Sequence, residues 1–304
     1  MPSPTRPGPA LDIEGTLFLL GKGGVGKSVV AAGLAALAVR QGRRTLLVRL
    51  GESIYKGADR SRSPVMSKDG FEVVDLEPQF AMDEYVDKVV RVRALSSRIT
   101  GSEVYRKFFA AAPGLPELVL LGRIQAFSNE AIAHGASRWQ SIVVDCPSSG
   151  HGLLMLETPF AAFRAVSIGP FSRLASQIME WLKAEVRIGV VAIPEEMAVV
   201  EAIEFAEDLK ERTGLAPSLV ILNRMRQDVL SPEARQAIAD SEVEIDSADQ
   251  ALLDCGARVQ RRSRLEAFHL KRLSKGLGMS PIILRELANT RPATIAKALS
   301  AESA

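Results

Sequence analysis

The sequence predicts an α/β protein in which a mostly parallel central sheet is flanked by helices. Short apolar runs recur between long segments of helical periodicity, which is typical of this fold class. Some runs are apolar throughout, such as Ile142 to Val144, as expected of strands that are buried on both faces of a sheet. The segment from Ser28 to Thr45 is long enough for one crossover helix between two parallel strands.

The individual elements follow from these patterns in chain order. Strands are predicted at residues 16–20, 45–50, 71–76, 141–145, 188–193, 218–222 and 280–284. The connection 77–140 has helical periodicity and no clear strand, so it is predicted to be a helical insertion. Further helical insertions are predicted at about 152–187 and 232–278, and a short final helix at 292–299.

Length and composition indicate an ordinary globular protein. The chain has 304 residues, of which 47% are hydrophobic and 24% are charged, close to the globular average. This length allows two domains or one enlarged α/β domain. Residues 1–13 are rich in proline and are expected to be a disordered leader. Residues 14–304 are expected to form a single domain, because the motifs described below run through most of its length.

Charge and cysteine content exclude several classes of protein. The 38 basic residues nearly balance the 36 acidic ones, giving a net charge of +2, so no specific nucleic-acid partner is expected. The two cysteines, Cys146 and Cys255, are too few for a disulfide framework, and we expect both to be buried packing residues. No apolar run approaches the ~18 residues of a membrane span. A cytoplasmic protein is therefore expected.

The strongest functional signal is a glycine-rich turn between the first predicted strand and the first predicted helix. It matches the pattern G-x-x-x-x-G-K-[S/T] at every position: Gly21, Lys22, Gly23, Gly24, Val25, Gly26, Lys27 and Ser28. The glycines allow backbone N–H groups to converge on phosphate oxygens, and the helix beginning near Val29 adds its positive dipole end. We expect Lys27 to reach the β- and γ-phosphates and the Ser28 hydroxyl to bind Mg²⁺. The fold is therefore predicted to be that of a P-loop NTPase.

A second motif begins where the strand 141–145 ends in Asp145. A P-loop protein needs a carboxylate at such a strand end to hold the Mg²⁺ shell, and we expect Asp145 to do so through water. An aspartate that caps the following helix is the alternative. The residues after it are small and rich in hydroxyl groups, as a loop that senses the γ-phosphate requires. Gly150 can offer its backbone N–H there without steric obstruction.

Both motifs resemble those of one known family. With Lys22 after its first glycine, the turn is similar to the signature of the deviant Walker A ATPases. Residues 145–151, Asp-Cys-Pro-Ser-Ser-Gly-His, resemble the switch II motif D-T-A-P-T-G-H of the arsenical pump (ArsA-type) and tail-anchored-protein targeting ATPases. Shorter segments resemble the same family in the same order: A-P-G-L-P-E at 112–117, I-P-E at 193–195 and I-L-N at 221–223.

The resemblance implies ATP as the nucleotide and a dimer, formed with a second copy or with a related ATPase. Lys22 would reach across the interface to the partner's nucleotide, although by spacing alone it is equally a solvated loop lysine. Asn223 would read the adenine edge, for which its amide offers a donor and an acceptor, although a lone strand-end asparagine is usually a turn residue. The helical insertion would form the surface for a protein client or a membrane partner, which allows peripheral membrane association.

The sequence departs from the family after the second strand and in its cysteines. Gly51 stands where the family has a water-orienting aspartate, and Glu52 is the nearby carboxylate that could substitute for it. The candidate catalytic residues are thus Lys22, Lys27, Asp145 and Glu52, with turnover expected to be slow. Two distant cysteines cannot supply three thiolates for arsenite, and no C-x-x-C is present for zinc, so neither site is expected.

The predicted function is a dimeric, ATP-hydrolysing protein whose closure on nucleotide controls a helical client surface. One alternative, motivated by Gly51, is a degenerate nucleotide-binding subunit that requires an active paralogue. The other is a partition-type positioning ATPase on DNA or a membrane. It is supported only by a basic stretch in which Glu266 is the single acid: Arg258, Arg261, Arg262, Arg264, Lys271, Arg272 and Lys275. A solvated helix face is the simpler interpretation of that stretch, and an acidic partner or lipid headgroup is the other.

Overall fold

The computed structural model describes residues 11–50, 63–90, 92–132, 135–165, 168–226 and 247–302, and the single residues 231, 233 and 236. Its strands are β1 (Gly15–Leu20), β2 (Thr45–Arg49), β3 (Val65–Met66), β4 (Glu72–Asp75), β5 (Ser141–Asp145), β6 (Val186–Ala192), β7 (Leu219–Met225) and β8 (Ile282–Arg285). They form one sheet in the order β3-β4-β2-β5-β1-β6-β7-β8. Within it, β3 is antiparallel to β4 and the other neighbouring pairs are parallel.

Helices flank this sheet on both faces. They are α1 (Lys27–Arg40), α2 (Pro78–Val90), α3 (Arg93–Thr100), α4 (Glu103–Ala111), α5 (Leu115–Ser128), α6 (Ser149–Ala165), α7 (Pro170–Ala184), α8 (Glu196–Thr213), α9 (Ser247–Leu277) and α10 (Pro292–Glu302). No helix in the described ranges is both long enough and apolar enough to cross a membrane. The predicted fold class, a mostly parallel sheet flanked by helices, is confirmed.

Two hydrophobic clusters explain why β1 is apolar at successive positions. On one face, Phe18 packs with Trp181 of α7, their ring centroids 6.0 Å apart. On the other face, Leu17 and Leu19 pack with α1 and with Ile295 of α10. Because both faces of the strand are covered, each side chain from 16 to 20 is buried, as a central parallel strand requires.

The predicted strands all occur, with ends that lie within three residues of those expected from the sequence, and the strand 141–145 has both ends as predicted. Strand β3 was not predicted, because its two residues are exposed and too few to form an apolar run. The insertion 77–140 contains α2 to α5 and one isolated bridge between Ala131 and Ser137. The insertion 152–187 contains most of α6 and all of α7. Its last two residues, 186 and 187, belong to β6, because that strand begins at Val186. The described part of 232–278 is largely the long helix α9.

Two sequence expectations need correction. The predicted leader extends to residue 13, but Ile13 is 1% exposed within the core and its carbonyl accepts a hydrogen bond from Ser141 Oγ. The chain therefore joins the core before the predicted boundary. Cys146 is buried as expected, and burial raises the pKa of its thiol well above the usual value. Cys255, in contrast, is exposed, because it lies on an outward position of α9.

We predict that Gly33→Ala destabilises the protein, although glycine to alanine in a helix normally stabilises it. Gly33 lies where α1 packs on α10, and an added Cβ would lie 2.6 Å from Cβ of Ile295. Overpacking of this kind costs about 1–3 kcal/mol of unfolding free energy, which denaturant titration measures. Gly150→Ala is the matched control, because nothing lies within 4 Å of a Cβ added to that helical glycine. Equal stabilities of the two variants would contradict the prediction.

Candidate functional site

The candidate site lies at the carboxyl-terminal edge of the sheet, around the end of β1. Strands β6 to β8 lie on one side of β1, and the remaining strands lie on the other side. In parallel sheets a ligand binds outside the carboxyl ends of the strands at such a reversal of strand order. The glycine-rich turn 21–26 connects β1 to α1 at this position, so the topology places it in the crevice.

The turn has a backbone path that its glycines make possible. Gly24 and Gly26 have φ angles of +85° and +90°, and Gly26 precedes the first residue of α1. A Cβ added to Gly26 would lie 2.5 Å from Nδ2 of Asn223. At Gly21, where φ is +149°, it would overlap the backbone carbonyl oxygen of Val191 in β6. The turn is therefore pressed against the ends of two neighbouring strands, and larger residues would displace it.

Lys27 folds back over the turn that precedes it. Its Nζ donates hydrogen bonds to the carbonyl oxygens of Gly21 and Lys22 at 2.9 and 3.1 Å. Burial lowers the pKa of Lys27, and the negative charge of Asp145 acts in the opposite direction. The ammonium group is therefore partly desolvated, which strengthens its attraction for an anion such as a phosphate.

Asp145 is a buried carboxylate at the end of β5. It is 8% exposed, and burial raises its pKa, while a hydrogen bond from Ser28 and the charges of Lys27 and Arg49 act in the opposite direction. Its Oδ1 has no hydrogen-bond partner among the described residues. An unpaired buried carboxylate oxygen costs folding free energy, so the fold maintains an unfavourable group beside the phosphate-binding turn.

This arrangement fits a magnesium ion. Hydroxyl, carboxylate and water oxygens are the ligands that Mg²⁺ prefers. The Ser28 hydroxyl lies close enough to the Asp145 carboxylate to lower its pKa, and Asp145 retains one oxygen that no group in the described ranges satisfies. The two side chains expected from the sequence to bind Mg²⁺ are therefore brought together.

Asn223 contacts the phosphate-binding turn directly. Its Nδ2 donates to the carbonyl oxygen of Val25 at 2.8 Å, and its Oδ1 accepts from the backbone N–H of Arg224 at 2.9 Å. The side chain is 7% exposed. In this structure Asn223 therefore positions the turn, a contact that the sequence did not predict. Arg224 has φ +59°, a left-handed conformation that is uncommon for residues other than glycine.

A cavity of about 410 Å³ opens beyond Asn223, at the ends of β6, β7 and β8. Its lining combines strand-end residues with one side of α9: Ile193, Pro194, Glu195, Glu196, Arg224, Arg226, Arg262, Leu265, Glu266, His269 and Glu286. His269 is 8% exposed, and its Nδ1 has no hydrogen-bond partner among the described residues. His269 belongs to no sequence motif, so only the fold shows that it lies beside the site.

Lys22 is engaged within its own chain. Its Nζ lies 2.5 Å from Oε1 of Glu201 in α8, and both side chains are about one-third exposed. The lysine is thus held at the surface of the site, next to the turn. Glu201 carries no motif in the sequence, and its contact with Lys22 depends on the packing of α8 beside β1 and β6.

The loop after Asp145 contacts the first helical insertion. His151 Nε2 lies 3.8 Å from Oε1 of Glu117, near the start of α5. Gly114, which precedes α5, has φ +77°, and an added Cβ would lie 3.0 Å from Thr158 in α6. Residues of the two segments that resemble family motifs are therefore in contact in three dimensions. Gly150 lies exposed in the first turn of α6.

Arg49 is a site residue that sequence reasoning missed. It ends β2 in register with Asp75 on one side and Asp145 on the other. Its Nε and Nη2 lie 2.6 and 2.7 Å from the two carboxylate oxygens of Asp75. An arginine at the end of an otherwise apolar strand was the available signal. Gly51 and Glu52, which follow this strand, lie outside the described residues.

Within the described ranges, no group of three or more His, Cys, Asp or Glu side chains could hold a metal ion by itself. A site in which Mg²⁺ takes most of its oxygen ligands from phosphate and water would not need such a group.

Comparison with known proteins identifies relatives of this chain. The sequence model of the anion-transporting ATPase family matches residues 15–215, a range that includes the phosphate-binding turn and Asp145. The chain is 27% identical to the ATPase BagA of Mycobacterium tuberculosis over 255 residues, covering 80% of this chain and 74% of the relative. It is 28% identical over 239 residues to an arsenical pump-driving ATPase of Escherichia coli, covering 77% of this chain but 39% of that protein.

Proposed function

Since this chain belongs to the anion-transporting ATPase family, we propose that it binds Mg²⁺ and ATP at the turn 21–28 and hydrolyses ATP to control its helical insertion. The observation that carries the proposal is that Asp145 has a buried oxygen without a partner among the described residues and lies close enough to Lys27 and Ser28 for both to lower its pKa. The names of the relatives, an ATPase and an arsenical pump-driving ATPase, support the same activity.

In this proposal the phosphates bind to the backbone N–H groups of the turn and to Lys27. The ammonium group exchanges its two carbonyl acceptors, Gly21 and Lys22, for phosphate oxygens. The exchange is favourable because a hydrogen bond between two charged groups is roughly twice as strong as one to a neutral acceptor. Mg²⁺ held by Ser28 and, through water, by Asp145 would supply positive charge to the phosphate oxygens.

The nucleoside is proposed to extend past Asn223 into the cavity of about 410 Å³. Asn223 lies between the turn and this cavity, because it bonds to Val25 and precedes the cavity residue Arg224. The unpaired Nδ1 of His269 is a polar atom that a purine edge could satisfy. The role proposed for Asn223 is therefore to align the turn and to contact the base with its remaining amide hydrogen.

Hydrolysis is proposed to act on the insertion through residues 146–151. Loss of the γ-phosphate changes the conformation of such loops in P-loop proteins. Because His151 lies against Glu117 at the start of α5, a movement of the loop would shift that helix. The surface of 77–140 would then bind a protein client or a membrane partner in one nucleotide state.

A dimer is proposed in which Lys22 completes the site of the partner. To do so, Lys22 has to leave Glu201, with which it is paired in this structure. An exposed ion pair of this kind contributes about 0–1 kcal/mol to stability, so separating Lys22 from Glu201 costs little free energy. The partner would be a second copy of this chain or a related ATPase, and Glu52 would take over the water-orienting role that Gly51 cannot fill.

Isothermal calorimetry with Mg·ATP tests the proposal. We expect the full chain to bind Mg·ATP and Lys27→Ala to bind it at least about tenfold more weakly, the loss expected for one charge-assisted contact. Lys107→Gln is the matched control, because that lysine is exposed and pairs only with Glu103 on its own helix among the described residues. Absence of binding by the unmodified chain, or equal binding by Lys27→Ala, would refute the proposal. Binding without steady-state turnover would favour the degenerate subunit that requires an active paralogue.

A further inference from the structure

One face of α9 carries most of the charge of the basic stretch. At 100° per residue, six basic residues project within about 80° of Phe268 on the same side of the helix. They are Arg258, Arg261, Arg264, Lys271, Arg272 and Lys275, and all are exposed. Acidic residues are absent from this face between 255 and 277, since Glu266 points inward and is 5% exposed. The face is therefore strongly basic in a chain whose net charge is only +2.

These basic groups are largely uncompensated by the rest of the described chain. Arg272 has one distant ion pair, 3.8 Å from Oε1 of Glu196, and the other five have none among the described residues. Arg262 lies outside this basic face and pairs with Glu266. A solvated helix face usually interleaves charges of both signs, and this face does not.

Two large apolar side chains lie in the middle of the basic face. Leu265 is 51% exposed and Phe268 is 57% exposed. Basic residues flank the pair toward both ends of the helix, from Arg258 to Arg264 and from Lys271 to Lys275. Met197, 60% exposed, is the residue after Glu196, which pairs with Arg272. An exposed apolar patch bordered by basic residues is typical of an interaction site rather than of a helix face that contacts only water.

The opposite face holds the helix in place. Leu273 is fully buried, and Gly276, at the edge between the two faces, lies so close to Ile203 of α8 that an added Cβ would be 2.5 Å from its Cδ1. Glu266 Oε2 accepts a hydrogen bond from the backbone N–H of Arg226 at 3.0 Å. The basic face is therefore presented by a packed helix, over roughly 26 Å from 258 to 275 at 1.5 Å per residue.

We propose that this face binds the surface of an anionic lipid bilayer. Phosphate groups would pair with the cations, while Phe268 and Leu265 enter the boundary between headgroups and acyl chains. Clusters of four to eight basic residues on one helix face are the usual requirement for such binding. Exposed Leu and Phe side chains favour a bilayer over a nucleic acid, because contacts to a phosphate backbone use basic and polar groups. None of these residues belongs to the turn 21–28, although Leu265 also borders the cavity of about 410 Å³, so the test uses the protein without nucleotide.

Sedimentation of the nucleotide-free full chain with vesicles tests the proposal. We expect binding to vesicles of phosphatidylcholine mixed with phosphatidylglycerol and none to phosphatidylcholine alone. The charge variant Arg261→Gln/Arg264→Gln/Lys271→Gln/Lys275→Gln should bind at least about tenfold more weakly, since each basic residue contributes roughly 1 kcal/mol near an anionic surface. The apolar variant Leu265→Gln/Phe268→Gln should also lose binding. The matched control is Met66→Gln/Lys68→Gln, an exposed apolar and basic pair at β3 that should leave binding unchanged.

Fluorescence of Phe268→Trp distinguishes insertion from surface attraction. The chain has two tryptophans, Trp139 and Trp181, both 3% exposed, so the new residue dominates any change. A shift of its emission to shorter wavelength on anionic vesicles supports the proposal. Absence of vesicle binding by the unmodified chain, equal binding by the charge variant, or an unchanged emission would overturn it. Binding to duplex DNA in place of vesicles would assign the face to a nucleic acid instead.

Discussion

Asp145→Asn is expected to stabilise the nucleotide-free protein at neutral pH while reducing ATP turnover by at least about 10²-fold, the size of losing one preorganised electrostatic contact. Burial raises the pKa of Asp145, and the hydrogen bond from Ser28 with the charges of Lys27 and Arg49 compensates only in part. A carboxyl group whose pKa is higher in the folded than in the unfolded state lowers stability once it is ionised. Asparagine keeps the shape of the side chain and removes that charge.

The stability advantage of Asp145→Asn should depend on pH. Below the ordinary pKa of 3.8, the carboxyl group is protonated in both states, and the variant should have no advantage from the missing charge. The advantage should grow as the pH rises from that value through the raised pKa of the folded state, and then stay constant. Denaturant titrations at several pH values, without nucleotide, measure the difference in unfolding free energy between the two proteins.

Asp75→Asn is the matched control on a nearby strand. Asp75 pairs through both oxygens with Arg49, so its replacement should lower stability at neutral pH, because it removes a negative charge that the largely buried guanidinium group contacts at two points. Opposite signs for the same substitution at Asp145 and Asp75 would identify Asp145 as a group kept for function. If Asp145→Asn destabilised the protein at neutral pH, Asp145 would be a structural residue, and the magnesium site would lose its main support.

The residues around Asp145 show how far the sequence predicts such a site. The turn 21–28 and Asp145 could be predicted because each lies at a junction that the sequence marks, between an apolar strand and a helix or loop. The fold class followed from the same apolar runs, since a strand covered on both faces cannot alternate. These signals are local in sequence, and the parallel sheet then brings the strand ends together.

The contacts that the sequence did not predict are between residues distant in sequence. Glu201 on α8 pairs with Lys22, and Asn223 donates a hydrogen bond to the carbonyl oxygen of Val25. His269 on α9 lines the cavity. A glutamate on an amphipathic helix looks the same whether it faces water or an ion partner, so its role depends on how the helices pack. The two exposed residues of β3 also have no local signal, because pairing with β4 alone defines them.

Gly21→Ala is expected to be among the most damaging single substitutions in the chain. The added methyl group would overlap the carbonyl oxygen of Val191, which belongs to the backbone of β6 and cannot rotate away. Overpacking costs about 1–3 kcal/mol, and a residue other than glycine at φ +149° adds about 1–3 kcal/mol of backbone strain. Thermal unfolding without nucleotide should show a clear loss of stability, and calorimetry should show a loss of Mg·ATP affinity.

Gly23→Ala separates this packing effect from a general sensitivity of the turn. Nothing lies within 4 Å of a Cβ added to Gly23, so the variant should unfold at nearly the same temperature as the unmodified protein. Equal stabilities of the Gly21 and Gly23 variants would show that the turn is free to move away from β6. A large difference would mean that β6 positions the turn before nucleotide arrives. Because β6 also leads into Pro194 and Glu195 of the cavity, the same strand would then align the phosphate and base ends of the site.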